Sequence, residues 1–228
     1  MIINTYGCSW TSGVSLQYGN WPLYCSIKRP DIHWNNYGRA GSSLTWSTFI
    51  SQLGLNNADI NIVQVTTPWR LTTWNTNISK TPHKFFRNCN DKKFENQGEN
   101  YTQYRVTSDV NVLNTTPGDL KKAVNNTNGL FRTQEKNFPE MYYERVNEEL
   151  QYFEWMTSLH YLIENVDFVF LYDSVLHERY RFLDTKNVPC FFESEFFNKY
   201  CIDEGNHFNS EGNQLLADWV LHKIRRLI

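Results

Sequence analysis

The sequence predicts an α/β fold, with a parallel sheet covered by helices on both faces. Three observations predict it. Apolar, β-branched runs recur along the chain, at Ile2-Ile3, at 59–66 (DINIVQVT) and at 166–172 (VDFVFLY). Two long segments, 140–165 and 210–227, carry apolar residues at close to a 3.6-residue period. Strand-like and helix-like segments alternate, an order that implies parallel pairing with helices packed on the sheet faces.

Each element has its own signal. Ile2-Ile3 opens the chain and runs into Gly7, where a strand would stop. Residues 14–27 read as a helix that Pro22 should break or kink. Residues 32–37 form a short strand ahead of Gly38, and 43–53 carry a modest helical stripe in Leu44, Thr48, Ile50 and Leu53. The run 59–66 is the clearest early strand. The helix over 140–165 follows Pro139 and places Val146, Leu150, Phe153, Met156, Leu159 and Ile163 along one stripe. The run 166–172 is a buried-type strand, and 188–192 is a shorter one. Asn209 is a natural N-cap for the last helix, with Glu211 favouring its positive end and Leu215, Leu216, Trp219, Val220 and Ile224 on its buried face. Residues 71–138 differ from all of this. They are rich in Asn, Thr and Lys and lack apolar periodicity, so they read as an insertion into a single domain spanning 1–228, a lid or a partner-binding face lying outside the sheet.

Composition narrows the function classes. A formal net charge of -2 provides no general attraction for nucleic acid. No stretch approaches the ~20 continuous apolar residues of a membrane span. The first basic residue is Lys28, and no apolar region precedes a cleavage site, so a cytoplasmic location is the expectation. The cysteines at 8, 25, 89, 190 and 201 are odd in number and contain no C-x-x-C, which argues for reduced thiols. The histidines show no metal-ligand spacing, so no structural metal is expected. Aromatic residues are 16% of the chain, enough to build a core and also to wall a flat ligand site.

The chemistry concentrates at the two ends. Residues 7–13 read GCSWTSG, with Ser9 just beyond a glycine that ends a strand. Such a serine is either a helix cap or a nucleophile at the mouth of a sheet. Residues 201–220 read CIDEGNHFNSEGNQLLADWV, in which Asp203 and Glu204 precede His207 at the entrance of a capped helix. A carboxylate there can orient one imidazole nitrogen while the other faces a cleft, which is the base half of a nucleophilic triad. In a parallel α/β sheet both loops can reach the carboxyl edge, where such folds place their sites.

These blocks resemble the SGNH, or GDSL-type, serine hydrolases. The first block of that family is G-D-S-x-T-x-G, which GCSWTSG matches at every signature position but one. Its last block, D-x-x-H-x-N-x-x-G, resembles EGNHFNSEG at 204–212, and its second-block glycine resembles NYGRAGSS at 36–43. The resemblance implies a three-layer α/β/α, flavodoxin-like domain with about five parallel strands. It implies Ser9 as nucleophile, His207 as general base, and the backbone N–H groups of Ser9 and Gly41 as oxyanion donors. The chain departs from the pattern at three places: Cys8 stands for the family's Asp, Glu204 for its triad Asp, and VQVTTPWR at 63–70 lacks the third-block Asn. Glu204 or Asp203 is the orienting acid, the spacing favouring Glu204. Thr66 or Thr67 is the candidate replacement donor, and Arg70, Trp10 and Trp69 are candidate substrate contacts. The activity implied is hydrolysis, without cofactor or metal, of small-acyl esters, including O-acetyl groups on carbohydrate, the substrate being a small-molecule or glycan ester. The alternative is a catalytically weak or inactive protein of the same fold that recognises a glycan or a protein.

Overall fold

The computed structural model describes residues 1–13, 18–39, 42–66, 70–74, 86–88, 100–106, 110–114, 148–171, 188–191, 199–202 and 207–228. In chain order the elements are β1 (Ile2–Tyr6), α1 (Ser9–Ser12), α2 (Trp21–Lys28), β2 (His33–Asn36), α3 (Leu44–Gly54), β3 (Ile60–Val65), β4 (Arg70–Trp74), β5 (Phe86–Asn88), β6 (Tyr101–Val106), β7 (Val110–Asn114), α4 (Glu148–Asn165), β8 (Phe168–Leu171) and α5 (Ser210–Ile224). Among the described residues the main sheet has the order β5-β6-β2-β1-β3-β8. Every pairing from β6 to β8 is parallel, and β5 joins the edge antiparallel to β6. Strands β4 and β7 form a separate antiparallel pair.

Helices cover both faces, giving the three-layer α/β/α architecture. On one face Trp21 and Cys25 of α2 and Leu216, Ala217, Val220 and Ile224 of α5 pack on Ile3, Trp34, Ile60, Ile62 and Phe170. On the other, Leu44, Trp46 and Ile50 of α3 and Trp155, Leu159 and Leu162 of α4 pack on Tyr6, Val63, Val65, Val169 and Leu171. The sheet strands alternate between these two sets, as the two-residue period of a strand requires. The central strands also carry a row of buried amides: Asn35 Nδ2 donates to Asn4 Oδ1 at 2.9 Å, and the Tyr6 hydroxyl donates to Asn61 Oδ1 at 2.9 Å. Their mutual hydrogen bonds make this burial tolerable.

Three expectations need correction. Pro22 does not break a helix: α2 starts at Trp21 and Pro22 sits in its first turn, where its missing N–H costs nothing. Asn20 caps that helix, its side chain accepting from Leu23 N–H at 2.9 Å. The segment 71–138 does not lie wholly outside the sheet, because β6 pairs in parallel with β2, Trp34 opposite Tyr101 and Asn36 opposite Gln103. The run 188–192 contributes an isolated parallel bridge between Cys190 and Leu171 in place of a full strand among the described residues. The start of the long helix, with Pro139, lies outside the described residues. Among the described residues no helix is long and apolar enough to cross a membrane.

Candidate active site

Because β6, β2, β1, β3 and β8 are parallel, their carboxyl ends share one edge. The chain moves from β1 to β2 on one side and later to β3 on the other, so β1 is the point where the strand order reverses. Open α/β sheets form their ligand crevices at this point. Residues 7–13 leave β1 here and turn at once into α1.

The turn from β1 into α1 is compact. A methyl group on Gly7 would overlap Thr11 Oγ1 and Gln64 Oε1, so only glycine allows β1 to turn this tightly over β3. The Gly7 carbonyl accepts from Arg39 N–H at 2.9 Å and from Ser42 Oγ at 3.0 Å, which ties the turn to the loop after β2. Gln64 of β3 lies beneath α1, its Oε1 accepting from Cys8 Sγ at 3.4 Å and from Thr11 Oγ1 at 3.2 Å. The Cys8 thiol is fully buried on this inner side. Ser9 points the other way. Its hydroxyl does not cap a helix, since Cys8 occupies the N-cap position of α1 and makes no side-chain cap bond.

The Ser9 hydroxyl meets His207 instead. Nε2 of His207 lies 2.8 Å from Ser9 Oγ, although the two residues are 198 positions apart in sequence. The histidine is placed independently of α1. Ile202 N–H donates to the His207 carbonyl at 2.8 Å, Asn209 N–H donates to the Tyr200 carbonyl at 2.9 Å, and Cys201 and Phe208 form an antiparallel bridge. Asn209 then caps α5 by accepting from Gly212 N–H at 2.9 Å, which fixes His207 two residues before the N-cap.

A cleft of about 270 Å³, its open mouth included, borders this pair. Trp10, Tyr18, Phe208 and Ile202 supply its aromatic and apolar walls, and Asn213 a polar one. Ser9 is only 5% exposed, so access to its hydroxyl runs through the cleft. Trp10, a sequence candidate, is also part of the core beneath the cleft. Tyr18, Ile202, Phe208 and Asn213 carried no motif signal of their own, although Phe208 follows the histidine directly.

Of the other sequence candidates, Thr66 and Arg70 are among the described residues. Thr66 is fully buried at the end of β3, and its carbonyl accepts from Trp155 Nε1 at 2.8 Å. Arg70 opens β4, its backbone in register with Asn114 of β7. Gly41, Thr67, Trp69, Asp203 and Glu204 lie outside the described residues. Arg39, in the loop after β2, stacks its guanidinium over Trp46 at 5.2 Å, and partial burial lowers its pKa. Among the described residues no group of three or more His, Cys, Asp or Glu side chains could hold a metal ion.

Comparison with known proteins gives structural likeness only. No family model matches the sequence, and no curated protein does. Among solved structures, the chain is similar to a member of the lipolytic G-D-S-L family from Veillonella parvula, at 13% identity and a TM-score of 0.48, with 99% of each chain covered. It is also similar to a family 3 carbohydrate esterase from Clostridium thermocellum, at 12% identity and a TM-score of 0.43, covering 100% of this chain and 96% of that one.

Proposed function

We propose that this protein is a serine esterase that cleaves small-acyl esters through an acyl-enzyme. The observation that carries the reading is the 2.8 Å contact between Ser9 Oγ and His207 Nε2 beside an open cleft. A serine hydroxyl at neutral pH is a weak nucleophile, and a hydrogen-bonded imidazole is the standard means of activating it.

The reaction follows from that pair. Ser9 Oγ bonds to the ester carbonyl carbon as its proton moves to His207 Nε2. The carbonyl oxygen becomes an oxyanion at the amino end of α1, where the Ser9 N–H, together with Gly41 N–H, would donate to it. The intermediate collapses by breaking the bond to the alcohol oxygen, and His207 returns its proton to that leaving group. Water, deprotonated by His207, then attacks the acyl-Ser9 carbonyl and releases the acid, restoring the hydroxyl. Glu204 or Asp203 would orient the imidazole and stabilise its cationic form. The narrow, aromatic-walled cleft favours acetyl over long acyl chains, which fits O-acetyl groups on carbohydrate.

A panel of p-nitrophenyl esters of rising acyl length tests the activity. Acetate should be the fastest, with turnover falling beyond butyrate. Exchanging the acids one at a time assigns the orienter. Glu204→Gln should lower kcat by about 10²- to 10⁴-fold while Asp203→Asn stays close to the parent. The reverse order would move the role to Asp203, and two fully active variants would leave Ser9 and His207 as a dyad.

One observation favours the second reading, a binding protein of the same fold. The exit of β3 has no asparagine in its sequence, and the Gln64 amide oxygen on β3 is engaged beneath α1. Hydrolysis of no ester in the panel would favour that reading.

A further inference from the structure

α1 has four residues, and a helix that short has little hold on its own direction. Its internal closures are the bonds from Ser12 N–H to the Cys8 carbonyl at 2.9 Å and from Gly13 N–H to the Ser9 carbonyl at 2.8 Å. The last carbonyls of a helix have no intrahelical donors and need partners from outside. Here the partners of the Thr11 and Ser12 carbonyls are side-chain amides. Asn36 Nδ2 donates to the Thr11 carbonyl at 2.7 Å. Gln103 Nε2 donates to the Ser12 carbonyl at 2.8 Å, and Asn20 Nδ2 donates to it at 3.2 Å.

Asn36 ends β2 and Asn20 caps α2, so both come from elements near α1 in sequence. Gln103 comes from β6, 91 positions after Ser12. The Tyr101 hydroxyl, also on β6, joins the three amides. It lies 3.0 Å from Asn36 Nδ2, 3.1 Å from Asn20 Oδ1 and 3.2 Å from Gln103 Oε1. Burial raises the phenol pKa, so the group stays a hydroxyl at neutral pH.

We infer that Gln103 is a positioning residue for Ser9, its amide holding the carboxyl end of α1 while Tyr101 behind it keeps the three amides in their donor orientation. The inference rests on the reading of Ser9 as the nucleophile. Ser9 stands at the opposite end of the same single turn, and His207 is fixed separately by the segment leading into α5. A change in the tilt of α1 therefore alters the Ser9–His207 contact directly. Misplacement of reacting groups by ~1 Å costs about 10²-fold in rate.

The test uses Gln103→Met, which keeps the side-chain length without the amide, and Tyr101→Phe, which leaves the Gln103–Ser12 bond in place. Three quantities are measured: the rate of fluorophosphonate labelling at Ser9, the kinetics of p-nitrophenyl acetate hydrolysis, and amide hydrogen exchange in the peptide spanning 8–13. Gln103→Met should be labelled about 10- to 100-fold more slowly and lose kcat with little change in KM. Exchange over 8–13 should quicken while β1 and β3 keep their protection, and Tyr101→Phe should shift all readouts less. A labelling rate within about twofold of the parent overturns the inference, as does unchanged exchange over 8–13. If the parent protein itself takes no label, the nucleophile reading fails alone, and exchange over 8–13 decides the clamp: faster exchange in Gln103→Met upholds it and unchanged exchange removes it. If Gln103→Met loosens the whole sheet, Tyr101→Phe decides: faster exchange over 8–13 with β1 and β3 still protected upholds the inference, and exchange at the parent's rate overturns it.

Discussion

Replacing Ser9 with alanine should lower ester hydrolysis by about 10⁴-fold or more, because nucleophile and base act as a unit and removing either leaves only substrate binding and oxyanion stabilisation. His207→Ala should cost a similar amount, and the double variant little more. Cys8→Ala is the necessary control, since a thiolate is the stronger intrinsic nucleophile. The structure separates the two neighbours: the Cys8 thiol is fully buried and donates to Gln64 Oε1, while the Ser9 hydroxyl faces His207 at the cleft. Cys8→Ala should therefore retain most of the activity and lose about 1–2 kcal/mol of stability for the vacated sulfur and its hydrogen bond. Iodoacetamide should inhibit the parent poorly. Hydrolysis that follows Cys8 instead would mean a thiol mechanism.

Gly38→Ala should damage both stability and catalysis, although Gly38 is neither in the cleft lining nor next to His207. A Cβ at position 38 would lie 2.6 Å from Ser12 N and 2.9 Å from the Thr11 carbonyl carbon. Both are backbone atoms, so no rotamer change relieves the overlap, and either the loop after β2 or α1 must move. Overpacking of this kind costs about 1–3 kcal/mol. Displacing α1 would shift Ser9 away from His207, with a further rate loss of about 10²-fold. Urea unfolding and p-nitrophenyl acetate turnover measure the two effects on one preparation. A variant with the parent's midpoint and rate would show that this loop and α1 do not touch as described.

The resemblance of GCSWTSG and EGNHFNSEG to two family blocks pointed to one site, and Ser9 and His207 do meet. Those motifs were legible because each combines a backbone requirement with a chemical one: Gly7 for the turn, Asn209 for the cap, and a reactive side chain between. The two long helices and the strands at 60–65 and 168–171 were legible from apolar periodicity, although Phe153 and Leu215, read as part of the helices' apolar stripes, are exposed, and Trp155 is buried in the first helix instead. β6 was not. Its Tyr101 and Gln103 spend their polar groups on α1 and its neighbours, and Thr102 Oγ1 reaches His33 Nε2 at 3.2 Å. A strand that faces polar partners carries no hydrophobic alternation, so YTQYRV reads as part of a polar insertion. Pro22 misled for a related reason. Proline marks both the break and the start of a helix, and only the cap formed by Asn20 distinguishes them. The amide row of Asn4, Asn35 and Asn61 was likewise invisible, because the bonds that join it, Asn35 to Asn4 and Tyr6 to Asn61, link strands distant in sequence.

The proposed esterase activity stands or falls with Ser9 as a nucleophile activated by His207. Reaction with a fluorophosphonate probe, followed by peptide mass spectrometry, tests it most directly, because the probe needs an activated serine and no knowledge of the natural ester. A single adduct is expected on the peptide containing Ser9, absent from Ser9→Ala and strongly slowed in His207→Ala. No adduct on the folded parent protein, or an adduct on a different residue, would contradict it.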